Sequence, residues 1–194
     1  MKASETLLTA RLLLRRPLHT DAQAIFRSYA GDPAVTRYLS WPTHRSVADS
    51  YAFIAWSDAE WERWPAGPYL VFSRNGRSKK VLGCTGLAFL SEERASTGYA
   101  FAQNAWGKGA ATEVLGAMVE LAHTLGLQQL EAICHAEHRA SAHVLEKCGF
   151  HLEALRERDT LFPNLMPGVR ADVYFYTLAI DPSRTDGIAR RPPS

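Results

Sequence analysis

Cysteine is scarce in this chain. Cys84, Cys134 and Cys148 are the only three among 194 residues, an odd set without a C-x-x-C spacing. Such a set excludes a disulfide-stapled secreted scaffold and points to a reducing compartment, so a cytoplasmic location is expected. Charge of one sign is also missing. Lys and Arg number 22 against 20 Asp and Glu, a net charge of +2, whereas a dedicated nucleic-acid binder carries a strong basic excess. No apolar run approaches the roughly 18 residues of a membrane span. The opening MKASETLLTARLLLRR lacks the apolar stretch of about 7–15 residues and the small-residue cleavage site of a secretory signal. Neither nucleic acid nor membrane is therefore an expected partner. No repeat with a period of about 20–50 residues is present.

What remains is ordinary globular composition, 46% apolar and 22% charged. A domain near 150 residues buries roughly 70% of its unfolded surface, so a sizeable core is within reach. One domain is expected over residues 6–180. The segment 181–194, rich in Pro, Arg and Gly, is expected to form a flexible tail.

Periodicity divides the domain. Residues 11–16 (RLLLRR) read as a strand. Thr20 with Gln23 offers a capping box for a helix carrying Ala22, Ile25, Phe26 and Tyr29 that stops at Gly31. Ser46 with Asp49 opens a second helix, whose expected face is Val47, Tyr51, Ile54 and Trp61 and whose end is Trp64-Pro65. Strands are predicted over 69–74, 81–90 and 97–102, with Asn75-Gly76 as a hairpin turn and 91–94 as the next turn. Ala111, Val114, Leu115, Met118, Leu121, Ala122 and Leu125 mark an amphipathic helix ended by Gly126. A strand over 130–135, a helix over 139–148 stopped by Gly149, and strands over 150–156 and 172–180 complete the chain, with a Pro/Asn/Gly loop at 162–168. The order predicts a mixed α+β fold: about seven strands in a mostly antiparallel sheet, about four helices on its faces, and one right-handed strand–helix–strand crossover.

The most informative segment is Tyr99 to Glu113, YAFAQNAWGKGAATE. A strand ends, Gly107 and Gly109 follow, and a strong helix starts at once. Unpaired N–H groups and the positive end of the dipole meet at such a helix start, and glycines let a phosphate approach the backbone. Lys108 adds charge. The plainer reading is a tight turn with no ligand. Gly107-Lys108-Gly109 is not GxxxxGK[ST], so it is no P-loop. A dinucleotide fingerprint needs a third glycine where Thr112 stands. Glu137 does follow the next strand, as a ribose carboxylate would, but only about 60 residues remain for the rest of that fold.

Trp106–Glu113 (WGKGAATE) followed by His138–Phe150 (HRASAHVLEKCGF) resembles the GNAT superfamily of acetyl-coenzyme-A-dependent N-acetyltransferases, and within it the RimJ/RimL-like branch. TARLLLRRP and ADVYFYTL resemble the two ends of that family's domain. The resemblance implies a sheet splayed at a cofactor cleft and acetyl-CoA as co-substrate, without a metal. It implies cofactor binding by Trp106, Gly107, Lys108, Gly109, Ala110, Ala111 and Thr112 at the pyrophosphate. Tyr99, Ala100 and Phe101 would lie along the pantetheine. Ser141 matches the serine of the family's N-x-x-S and is the implied proton donor to the coenzyme sulfur. His138 stands where the family has asparagine, at a position that contacts pantetheine. The implied acceptor is a protein N-terminus or a small-molecule amine, and the implied assembly a monomer or homodimer.

The base is not named by the resemblance, because the branch's glutamate position holds Ser96. Glu92, Glu93, Asp172, Tyr174 and His138 remain as candidates, beside a water chain to bulk. Cys134, His135, His138, His143 and Cys148 crowd one stretch at spacings that suit no zinc site. Trp41, Trp56, Trp61 and Trp64 form either core or an acceptor groove. Two other functions stay open at this point: a catalytically silent acyl-CoA-binding protein of the same fold, and a nucleotide-binding oxidoreductase.

Overall fold

The computed structural model of the chain describes residues 1–74 and 80–181. The Asn75-Gly76 turn lies outside these residues, as does the expected tail apart from Asp181. The strands are β1 (Thr6–Leu8), β2 (Leu12–Arg15), β3 (Pro68–Ser73), β4 (Val81–Phe89), β5 (Arg94–Phe101), β6 (Gln129–His135), β7 (His151–Leu161) and β8 (Arg170–Ala179). The helices are α1 (Ala22–Ile25), α2 (Pro33–Thr36), α3 (Val47–Arg63), α4 (Ala110–Leu125) and α5 (Arg139–Lys147).

All eight strands join one sheet in the order β1-β2-β3-β4-β5-β6-β8-β7. Every neighbouring pair is antiparallel except β5–β6. The mixed, mostly antiparallel sheet with helices on its faces is thus present. Two short elements escaped the pattern reading. β1 has three residues and pairs Leu7 with Leu14, too few for an alternation to register. α2 is a single turn started by Pro33 and capped by Asp32 Oδ1, which accepts from the Ala34 N–H at 2.9 Å.

Two local expectations are corrected. Thr20 does not cap the first helix. The segment opens with a 3₁₀ turn at His19–Asp21, and the Asp21 carboxylate accepts from the Leu18 N–H at 2.7 Å. Asp21 is also gripped by Arg15 through two bonds of 2.7 Å, a bidentate pairing that outcompetes a lone hydroxyl cap. The segment then runs through a π-helical turn, Phe26–Ala30, before Gly31. In α3, Asp49 does accept from the Ser46 N–H, but the buried face is Ser50, Ile54, Ser57 and Trp61. Tyr51 is 42% exposed. The small serines let the helix lie close to α1, and a periodicity of large apolar residues misses them.

β3 is buried on both faces. Tyr69 and Val71 join one core with Leu12, Leu14, Val114, Leu115 and Met118 under α4. Leu70 and Phe72 join the other with Ile25, Tyr29 and Ile54 beneath α1 and α3. Alternate residues of one strand thus feed two layers. α4 ends where Gly126 takes a φ of 72°, and α5 is followed by Gly149 at 85°, the left-handed positions that favour glycine.

The feature that makes the site is a short ladder. β4 and β5 pair from Gly83↔Phe101 to Phe89↔Ala95. β5 and β6 pair only from Arg94↔Gln129 to Ser96↔Glu131. Beyond Ser96 the two strands separate, and the sheet opens into a cleft.

Trp61 belongs to the core. It is 2% exposed, and its Nε1 donates to the Pro68 carbonyl at 2.9 Å. Trp61→Ala is expected to cost about 3–5 kcal/mol in urea unfolding. Trp56→Ala, at a side chain 49% exposed, is expected to stay within about 1 kcal/mol.

Candidate active site

The cradle is built as the glycine pattern requires. Gly107 and Gly109 have φ of 69° and 75°, a region costly for other residues. No atom lies within 4 Å of a Cβ built on Gly107, so its role is conformational, and the turn stays open. The Glu113 N–H is the first of α4 to find an intrahelical acceptor, the Gly109 carbonyl. The earlier N–H groups of the first turn have no intrahelical acceptor, the arrangement that suits an anion at a helix start. Lys108 Nζ folds back on the Asn104 carbonyl at 2.8 Å. Trp106 Nε1 donates to the Phe101 carbonyl at 2.7 Å, tying the turn to the end of β5.

A second cation, not singled out in the sequence, sits at the cradle. Arg11 Nη1 donates to the Lys108 carbonyl at 2.9 Å, and Arg11 Nε to Glu113 Oε2 at 2.7 Å. Glu113 also accepts from the Arg11 N–H and from Thr9 Oγ1. Partial burial would raise the Glu113 pKa, but these bonds outweigh it and hold the carboxyl below its ordinary value. The β1–β2 turn and the cradle are therefore one hydrogen-bonded unit.

The cleft between β5 and β6 opens into a cavity of about 950 Å³. On β5 the Ala102 N–H bonds the Leu82 carbonyl of the β4 side. By alternation the backbone groups of Tyr99 and Phe101 turn to the cleft, and those of Ala100 to β4. Ala100 lines the cavity with its small side chain. Gly98 lines it too, and a Cβ built there meets nothing within 4 Å.

Across the cleft, Ser141 of α5 and Cys134 of β6 face Tyr99. The Tyr99 hydroxyl bonds Ser141 Oγ at 3.2 Å. Burial pushes the Tyr99 pKa up to about 12, against the Ser141 bond. The Cys134 thiol is pushed up to about 11, by burial and then by the Glu146 charge, which leaves it protonated and unreactive at neutral pH. His138, at the N-cap of α5, lines the same cavity. Burial and then the neighbouring His135 lower its pKa.

The far wall is a strap, residues 36–43. Asn164 of the β7–β8 loop clips it with four bonds. Oδ1 accepts from Thr43 N–H (2.8 Å) and Thr43 Oγ1 (3.0 Å), and Nδ2 donates to the Thr36 and Trp41 carbonyls (both 2.8 Å). The Tyr38 ring stacks on His138 at 4.7 Å and meets His135 at 5.0 Å. His135 in turn meets Phe162 at 5.0 Å. The strap is thus held to β6, α5 and the β7–β8 loop, over the opened strands.

The tryptophans divide. Trp41 and Trp56 line the cavity, while Trp61 is core and Trp64 stacks on Phe89 at 5.3 Å. Of the proton-acceptor candidates, Glu92 and Glu93 are exposed in the β4–β5 turn. Asp172 accepts from the Arg158 N–H at 2.9 Å, and Tyr174 packs on Tyr176. His138 is the candidate that lines the cavity. The side chains of Tyr38, His44 and Asn164 had no motif to announce them; Tyr38 and Asn164 act through partners about a hundred residues away in sequence, and His44 through Ser50 of α3. Among the described residues, no group of three or more His, Cys, Asp or Glu is placed to hold a metal ion. No described helix is long and apolar enough to cross a membrane.

The sequence profile of the acetyltransferase (GNAT) domain matches residues 11–151. The chain is 29% identical over 178 residues to the uncharacterized N-acetyltransferase p20 of Bacillus licheniformis, covering 90% of this chain and 96% of that one. The fold is shared with RimL, a ribosomal L7/L12 alpha-N-protein acetyltransferase solved with coenzyme A. That match has a TM-score of 0.79 at 20% identity, over 91% of this chain and 98% of that one. It is shared also with the microcin C7 self-immunity acetyltransferase MccE, solved with acetyl-CoA and AMP. There the TM-score is 0.78 at 19% identity, over 89% and 94% of the two chains.

The Glu113 anchor has a pH signature. Its folded pKa lies below the ordinary value of a glutamate. Its stabilisation is full above the unfolded value and is lost as pH falls through the folded one. Acid unfolding of Glu113→Gln is expected to lack this part of the pH dependence seen in the unsubstituted protein.

Proposed function

Because the chain belongs to the GNAT acetyltransferase family, we propose that it moves the acetyl group of acetyl-CoA onto a primary amine by direct attack of the amine on the thioester. The observation that carries this reading is the β5–β6 ladder that stops after Ser96↔Glu131. It leaves Tyr99 backbone groups facing a cavity whose opposite wall holds Ser141, and the same strand leads into the cradle. Two parts of the coenzyme are assigned residues in this reading, the pyrophosphate and the pantetheine. Trp106, Gly107, Lys108, Gly109, Ala110, Ala111 and Thr112 hold the pyrophosphate, chiefly through main-chain N–H groups, with Arg11 alongside. Tyr99 and Phe101 offer backbone groups to the pantetheine, in the manner of an added strand, and Ala100 keeps the wall low.

Acetyl-CoA, when bound, supplies the activated acetyl group. The residues of the chain position it and handle protons. A cleft-facing N–H of β5 is placed to stabilise negative charge on the carbonyl oxygen. Ser141, oriented by the Tyr99 hydroxyl, gives a hydrogen bond or proton to the departing sulfur. No metal is needed for these steps. The acceptor is a protein N-terminus or a small-molecule amine, attacking in its neutral form. An α-amino group with a pKa of about 8 meets that condition more readily than a lysine at about 10.4. The protein works in the cytoplasm, as a monomer or homodimer.

Titration calorimetry with acetyl-CoA is expected to show micromolar or tighter binding; none at high micromolar concentration overturns the reading. Gly109→Trp is expected to fold and lose that binding, since a Cβ at this position already meets Arg11 at 3.3 Å. Ser141→Ala is expected to lower kcat about tenfold or more, with acetyl-CoA affinity nearly unchanged, by thiol release across a panel of amines and peptides. Equal turnover in the variant makes Ser141 a structural hydroxyl.

A further inference from the structure

Acetylation of an amine must dispose of a proton, and the cavity offers few groups to take it. Asp49 is the carboxylate in its lining, and its Oδ2 is committed to the Arg45 and Ser46 amides at 2.7 and 3.0 Å. Two histidines line the cavity, His44 and His138. Ser50 Oγ lies 2.8 Å from His44 Nδ1. Ser50 is fully buried, and its hydroxyl has no other partner among the described residues. The buried hydroxyl therefore donates to Nδ1, which leaves His44 with its proton on Nε2, a donor rather than an acceptor.

His138 differs. Neither of its ring nitrogens has a hydrogen-bond partner among the described residues. The ring is held face-on by Tyr38, at 4.7 Å and 23°. It stands three positions before Ser141, which places the two on one face of the start of α5. The asparagine that the family pattern leads one to expect here has no titratable group. We propose that His138 is the proton acceptor of the reaction, a role that rests on the acetyltransferase reading above.

The step balances simply. The amine nitrogen forms a bond to the acetyl carbon, the carbon–sulfur bond breaks, and the amine proton passes to the free nitrogen of His138. The sulfur receives a proton from the solvent, directly or through Ser141, which the solvent reprotonates. The imidazolium returns its proton to bulk, so the net products are the amide and the free thiol. The groups around the ring favour its neutral form. His135 of β6 is a potential like charge. Arg37 on the strap lies over the Tyr38 ring, with its guanidinium carbon 5.2 Å from the ring centroid. Phe162 and Ser141 add no charge. Burial and His135 keep the pKa of His138 below its usual value, so the base is available at neutral pH.

The test compares the full-length protein with His138→Asn, which restores the residue of the family pattern. Acetyl-CoA affinity by calorimetry is expected to change less than about threefold, while kcat falls about 100-fold, the lower end for general-base catalysis. Below the pKa of the base, log kcat/KM of the wild type rises with a slope of about two, from the amine and the histidine. In His138→Asn the slope is about one. Independently of turnover, NMR titration of the histidine C–H signals, assigned with the variant, is expected to place His138 below 6.5.

An unchanged kcat and pH profile in His138→Asn overturns the proposal. So does loss of the second slope in His44→Asn but not in His138→Asn, or a His138 titration above neutrality. Should the wild type neither bind acetyl-CoA nor acetylate any amine, the acetyltransferase reading itself fails. Binding and transfer that survive His138→Asn intact remove only the proton acceptor.

Discussion

The site depends on one ladder that stops. β5 and β6 hold each other at three residue pairs, Arg94↔Gln129 to Ser96↔Glu131, and then part. A strand whose N–H and C=O groups lack a neighbour carries a free-energy penalty unless a ligand or solvent pairs them. The rest of the architecture makes that opening tolerable. β4 holds β5 along its other edge as far as Phe101, and β8 holds β6 as far as His135. α4 and α5 pack beneath. The opening is thus a wedge in a sheet anchored on both flanks, a rigid setting for a ligand's backbone-like amides.

Around the wedge, long-range polar contacts take over where the sheet no longer binds. Glu113 ties the β1–β2 turn to the start of α4, and Asn164 ties the strap to the β7–β8 loop. Both are side chains whose acceptors are satisfied by groups about a hundred residues away in sequence. Their charge and bonding capacity are spent on geometry, which leaves backbone amides, one serine and one stacked histidine to meet ligands. This explains how a chain with a net charge of only +2 offers a site for a polyanion: the positive potential is that of oriented N–H groups at a helix start, with Arg11 and Lys108 close by.

Much of this was legible in advance, for identifiable reasons. The α4 pattern, the glycines at 107 and 109, and the stops at Gly126 and Gly149 are local features: each follows from helical periodicity or from a left-handed φ. The paired motifs at Trp106–Glu113 and His138–Phe150 carried the family. The misses are as specific. Thr20 lost the cap to Asp21 because Arg15, from another strand, orders that carboxylate. The buried face of α3 runs through Ser50 and Ser57 because α1 comes close, and a hydrophobic count does not see serines. Trp61 is buried as its place on the expected face implies, while Trp56, off that face, lines the cavity.

By itself the sequence determined the longer elements, the crossover at β5–α4–β6, the cradle and the family. These rest on interactions between residues a few positions apart, or on motifs. Only the tertiary structure decided which titratable groups meet in the cleft. Glu92, Glu93, Asp172 and Tyr174 were equal to His138 as sequence candidates. Folding placed His138 against Tyr38, in the cavity that Ser141 also lines, and carried the others elsewhere. The reason is physical: a base is defined by what surrounds it, its burial, its neighbours' charge and its free lone pair, and those surroundings come from chain segments far apart in sequence.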